Sequence, residues 1–271
     1  MIKPVKYVGQ TAIELFGERE EITGNVEEAV KAIIADVRKN GDDALRRYSA
    51  KFDGYTGKSL EVSEEEFEEA KRLISPQFVQ ILANSIKNIE DFHRKQLRTG
   101  FEINTGDRII GQKVTAVERA GIYVPGGTAA YPSTVLMNAI PAKIAGVGCI
   151  VMATPVKADG KVRPEVLVAA KMCGVDRVFK IGGAQAIAAM AYGTETVPKV
   201  DKITGPGRDF VATAKKLVYG VACGIDMIAG PSEILVLADE YANPVNVAAD
   251  MLSQAEHDAI ASAILICNSE K

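Results

Sequence analysis

The chain has 271 residues, 47% hydrophobic and 25% charged, with no tryptophan and two histidines. That is the composition of a folded chain able to bury a core without staples, which excludes disorder and a disulfide-framed mini-protein. Lysine plus arginine number 32 against 35 aspartate plus glutamate, a net charge of −3, so no basic excess points to nucleic acid.

Residues 26–98 predict helices. Val26, Ala29, Val30, Ile33, Ile34 and Val37 share one face, and Asn40-Gly41 closes that segment. Asp42 is placed to cap a second helix, to about residue 52. Ser63 and Glu66 form a capping-box pattern for a third, 63–74, and Pro76 opens a fourth, 76–97. The period then changes. Segments 101–104 and 108–114 predict a hairpin around Thr105-Gly106-Asp107, and 117–124 another strand. From there helices and strands alternate. Helices at 133–145, 164–173, 185–192 and 209–219 lead to strands at 149–153, 177–181, 202–204 and 224–227. The strands are short apolar runs, as expected of parallel strands covered on both faces. A strand at 234–238, a helix at 244–255 and a strand at 261–267 follow. The expected fold class is α/β: two Rossmann-like, doubly wound lobes with mainly parallel sheets and a helical N-terminal region. Residues 1–119 are read as the helical start and first part of lobe one. Residues 120–231 are the inserted nucleotide-binding lobe, and 232–271 the return to lobe one.

Other features bound the setting. The stretch 139–156 is broken by Pro141, Lys143 and Pro155, so no membrane span is expected. The N-terminal MIKPVKYVGQ lacks the apolar core of a signal peptide. Cys149, Cys173, Cys223 and Cys267 are widely spaced in apolar stretches and read as buried reduced thiols of a cytoplasmic protein.

Glycine-rich segments stand at three strand-to-helix junctions: Tyr123-Val-Pro-Gly-Gly-Thr128, Gly182-Gly183-Ala184-Gln185 and Gly205-Pro206-Gly207-Arg208. Each is a tight turn or a place where backbone N–H groups meet an anion at a helix start; three together point to a nucleotide crevice. Arg208 opposes the helix dipole, which hints at an anionic partner. Gln254 and His257, three apart, share a helix face as a metal pair or as a helix terminus meeting its own carbonyls. Ser232 after Gly230-Pro231 caps the next segment or meets a ligand at the lobe junction. No nucleophile elbow surrounds it.

The run at 118–145, ERAGIYVPGGTAAYPSTVLMNAIPAKIA, resembles the histidinol dehydrogenase family, as do IGGAQAIAAMAYGT, KITGPG, IDMIAGPSE and SQAEHD. The resemblance implies NAD-dependent oxidation of L-histidinol to L-histidine in two steps, in a homodimer with zinc at an intersubunit site. Carried over by motif, it makes Tyr123 and Gln185 NAD contacts, Ser232 a substrate contact, and Gln254 and His257 zinc ligands facing substrate. The family has Asn after Gly-Pro-Gly, where this chain has Arg208. That guanidinium is expected either to reach a cofactor phosphate or to point to solvent, and its added charge to alter the NAD-to-NADP preference. The family's catalytic Glu-His pair and two further zinc ligands match no residue here. The chain as given is therefore expected to be inactive, with 261–267 a break inside lobe one. The alternative is a non-catalytic family member that keeps a nucleotide crevice or a dimer surface.

Overall fold

A computed structural model describes residues 4–16, 24–126, 130–228, 233–256 and 261–269. The chain divides into two compact units, Met1–Met227 and Ile228–Lys271.

The first unit is built on a parallel sheet. Its strands are β3 (Arg119–Tyr123), β4 (Cys149–Ala153), β5 (Arg177–Phe179), β6 (Lys202–Thr204) and β7 (Gly224–Ile225), in the order β5-β4-β3-β6-β7. β4 reads CIVMA and buries four of its five residues, as a strand covered on both faces must. One face carries α5 (Pro132–Ile144) and α6 (Pro164–Met172). The other carries α7 (Gly183–Tyr192) and α8 (Asp209–Val218). The alternation expected from the apolar runs is therefore present, with ends shifted by at most two residues.

The N-terminal helices flank this sheet. After a short α1 (Ala12–Phe16), the helix α2 (Gly24–Tyr48) packs on α7 and α8 through Val30, Ile33, Ile34 and Val37. α3 (Glu64–Leu73) packs on α6, and α4 (Pro76–His93) on α5. The capping box at Ser63 and Glu66 forms as the sequence suggests, with the Ser63 N–H donating to Glu66 at 2.9 Å. The Asn40-Gly41 break differs from expectation. Gly41 bends α2 with φ 49° and ψ −131°, a conformation open to glycine. Asp42 is not the cap of the second half. The Glu195 carboxylate accepts its N–H at 2.8 Å, while the Asp42 carboxylate accepts the Thr194 hydroxyl at 2.6 Å and that of Thr196. A partner 153 residues away replaces the local cap.

The hairpin β1 (Phe101–Asn104) and β2 (Ile109–Gln112) forms in antiparallel register, every residue of it exposed. The second unit is a strand–helix–strand arrangement: β8 (Glu233–Ala238), α9 (Pro244–Ala255) and β9 (Ser262–Cys267), the two strands parallel. Asn243 caps α9 by accepting the Val245 N–H at 2.9 Å. None of its described residues is fully buried. No described helix is long and apolar enough to cross a membrane. All four cysteines are free thiols, but Cys149 is only half-buried and Cys267 is exposed at the end of β9, a correction to the reading of all four as buried. Burial pushes the Cys173 thiol up to about 12 and that of Cys223 to about 11, which keeps both protonated and inert.

Candidate functional site

The strand order reverses direction between β3 and β6, because β4 and β5 extend one way and β6 and β7 the other. In such sheets ligands bind beyond the carboxyl ends of the strands at this switch point. All three glycine-rich junctions of the sequence begin on that edge, after β3, β5 and β6, with Gly127 and Thr128 of the first lying outside the described residues.

Tyr123 ends β3 and is buried. Its hydroxyl accepts the Gly183 N–H at 3.1 Å, tying the β3 end to the start of α7. Burial pushes its phenol up to about 12; the Gly183 N–H works against this and the Asp53 charge adds to it. The ring therefore stays neutral, with its own proton given to no acceptor among the described residues. Gln185 lies in the first turn of α7 and is buried. Arg208 is the residue before α8, exposed, its carbonyl accepting the Val211 N–H at 2.8 Å. Neither Gly182 nor Arg208 caps its helix with a side chain, so beyond the Gly183 N–H held by Tyr123 the first turns of α7 and α8 present N–H groups on the same edge.

The Gly205 loop is clamped in a way the motifs did not reveal. Lys215 is buried in α8; its ammonium donates to the Gly205 carbonyl at 2.8 Å and pairs with Asp226 at 2.5 Å. Asp226 in turn accepts the Gly205 N–H at 2.8 Å. Both polar groups of one glycine are thereby held by a single ion pair. The sign available in the sequence was the lysine's place on the apolar stripe Val211, Ala214, Val218, where a charge is out of pattern.

Two buried oxygens on this edge have no hydrogen-bond partner: Thr204 Oγ1 at the end of β6 and Asp53 Oδ2. Asp53 closes a π-helical turn, Ser49–Asp53, after α2. It lines a groove of about 710 Å³ with Gly126, Tyr131 and Thr154. Burial pushes its carboxyl up to about 6. A carboxylate raised in this way costs stability where it is ionised in both states, and the cost grows as pH rises from about 4 to about 6. Asp53→Asn is therefore expected to raise the unfolding free energy by about 1 kcal/mol at pH 7, allowing for solvent that still reaches the group. The gain should vanish near pH 4. Urea unfolding at both pH values reads it, and a variant less stable than the parent at pH 7 would refute it.

These oxygens, the uncommitted Tyr123 proton and the open helix starts suit a polar ligand of dinucleotide size. The described residues do not fit a metal in the same way. None of them gathers three or more His, Cys, Asp or Glu side chains. Of the expected pair, Gln254 is half-buried in α9, and His257 lies outside the described residues, as does Ser232. Tyr123, Gln185 and Arg208 thus share one edge of the first unit, while Gln254 belongs to the second.

Comparison with known proteins supplies the family. The histidinol dehydrogenase family matches residues 17–271. The histidinol dehydrogenase of Lactococcus lactis is 52% identical over 277 residues, covering all of this chain and 64% of its own length. That of Bacillus subtilis is 54% identical over 241 residues, covering 89% of this chain and 56% of its own length. The crystal structure of histidinol dehydrogenase from Elizabethkingia anophelis superposes with a TM-score of 0.88 at 40% identity, over 93% of this chain and 58% of that one. The chain spans between 56% and 64% of the length of these relatives. It belongs to the histidinol dehydrogenase family.

Proposed function

We propose that this chain serves an oxidoreductase that converts L-histidinol to L-histidine in two NAD-dependent steps, and that residues 120–231 bind the NAD. The observation that carries the reading is the switch-point edge, where the Tyr123, Gly183 and Gly205 loops converge. The names of the relatives support L-histidinol as the substrate. NAD, when bound, supplies the hydride acceptor. Tyr123 would donate a hydrogen bond to it through its uncommitted hydroxyl. Gln185 at the α7 start and Arg208 before α8 would help hold it, Arg208 as a cation for its phosphates. The Lys215–Asp226 pair keeps the Gly205 backbone rigid against the bound dinucleotide, so ordering is complete before binding.

Ser232, Gln254 and His257 complete the proposal on the substrate side, with Gln254 and His257 as ligands of a zinc ion in a cytoplasmic homodimer. The described residues present too few donors to derive a step through that metal. The resemblance carries no acid–base residue onto positions 1–271, so binding rather than turnover is the readout suited to this chain. Titration calorimetry with NAD should give one site per chain, weakened at least tenfold by Tyr123→Phe. Absence of NAD binding by the parent chain at millimolar cofactor would end this reading.

A further inference from the structure

The dinucleotide reading leaves one half-buried charge, Asp53, unexplained. In a doubly wound sheet the adenosine ribose lies near the end of the second strand of the unit, where a carboxylate takes its hydroxyls. Here the second strand is β4, and the chain after it reads Thr154-Pro155-Val156-Lys157, with no carboxylate. The next acid, Asp159, is exposed and already accepts the Lys161 N–H at 3.0 Å.

A carboxylate reaches this place from elsewhere in the chain. Asp53 lines the same groove as Thr154 and Pro155. The turn that carries it is seated on the segment after β4: a Cβ on Gly54 would meet the Ala158 methyl at 3.4 Å, and the Tyr55 ring lies against Gly160. One carboxylate oxygen is buried without a partner. An unpaired buried oxygen is costly to keep, and a partner that arrives with a ligand relieves the cost.

We infer that Asp53 sets the nucleotide preference of the crevice: its carboxylate accepts the adenosine ribose hydroxyls of NAD and repels the 2′-phosphate of NADP. The inference rests on the dinucleotide reading above. It moves the preference away from Arg208, which stands after β6 on the other side of the switch point. The groove also holds cations, which would favour a 2′-phosphate. Lys161 is engaged by Glu69 at 2.5 Å, and Lys157 and Arg163 are both exposed, where solvent screens them. The carboxylate is the more buried charge and dominates.

The test is calorimetric titration of the chain with NAD, NADP and 2′-deoxy-NAD. The parent should bind NAD at least tenfold more tightly than NADP. It should lose about 10- to 100-fold in affinity for 2′-deoxy-NAD, the worth of a hydrogen bond to a charged group. Asp53→Asn should weaken NAD by a similar factor, close the gap to NADP and become indifferent to the 2′-hydroxyl, while Asp53→Glu keeps part of the preference. If the asparagine variant does not fold, the comparison of NAD with 2′-deoxy-NAD on the parent decides alone. Equal affinity of the parent for those two, or NADP binding as tightly as NAD, overturns the inference while leaving the crevice intact. Failure to bind any dinucleotide overturns the crevice reading and the inference together.

Discussion

Gly205→Ala is expected to lower the unfolding free energy by about 3 kcal/mol or more and to abolish dinucleotide binding. Gly205 has φ +114°, which a side chain rarely adopts, and a Cβ there would sit 2.1 Å from the Tyr123 carbonyl oxygen. That obstacle is the backbone at the end of β3, which is held in the sheet by pairing to β4 and β6. Relief therefore requires the junction to part, and the switch-point edge opens with it. Denaturant unfolding and NAD titration read the two effects. A variant unfolding at the parent's midpoint with unchanged affinity would show that this close approach is not needed.

Lys215→Met is the second large change expected, a loss of about 3 kcal/mol. Methionine fills the stem's volume but leaves the Asp226 carboxylate without its cation and the Gly205 carbonyl without its donor. The Asp226 side chain keeps 30% of its exposure, so the loss falls at the low end of the range for broken buried pairs. The double variant Lys215→Met, Asp226→Asn should recover at least 1 kcal/mol, since it removes the stranded charge. Additive losses in the two single variants would argue that the pair does not act as a unit.

The legible parts of the sequence were those governed by neighbours along the chain. β4 and α9 came out at the expected residues because an apolar run and a proline at the first helical position are local signals. The Ser63–Glu66 box is likewise local. The edge that carries Tyr123, Gln185 and Arg208 followed from glycines at strand ends. What stayed hidden depends on partners distant in sequence. Asp53 belongs to no motif, and its place beside Thr154 arises only when α2 docks on the sheet. Lys215 broke an apolar pattern, but its partners at 205 and 226 lie on separate loops. Asp42 looked like a cap because Asp after Asn-Gly often is one, and Thr194 and Thr196 claimed it instead.

The docking of α2 also bears on how the chain is made. Its apolar stripe meets α7 and α8, and its bend is fastened by Glu195, 153 residues after Asp42. At about 5–20 residues per second, a ribosome takes about 8 to 30 s to reach that partner. During that interval Val30, Ile33, Ile34 and Val37 have nothing of their own to cover them. The first helix of the core is thus the element most in need of a chaperone, because α7 and α8, which shelter it, are synthesised long after it.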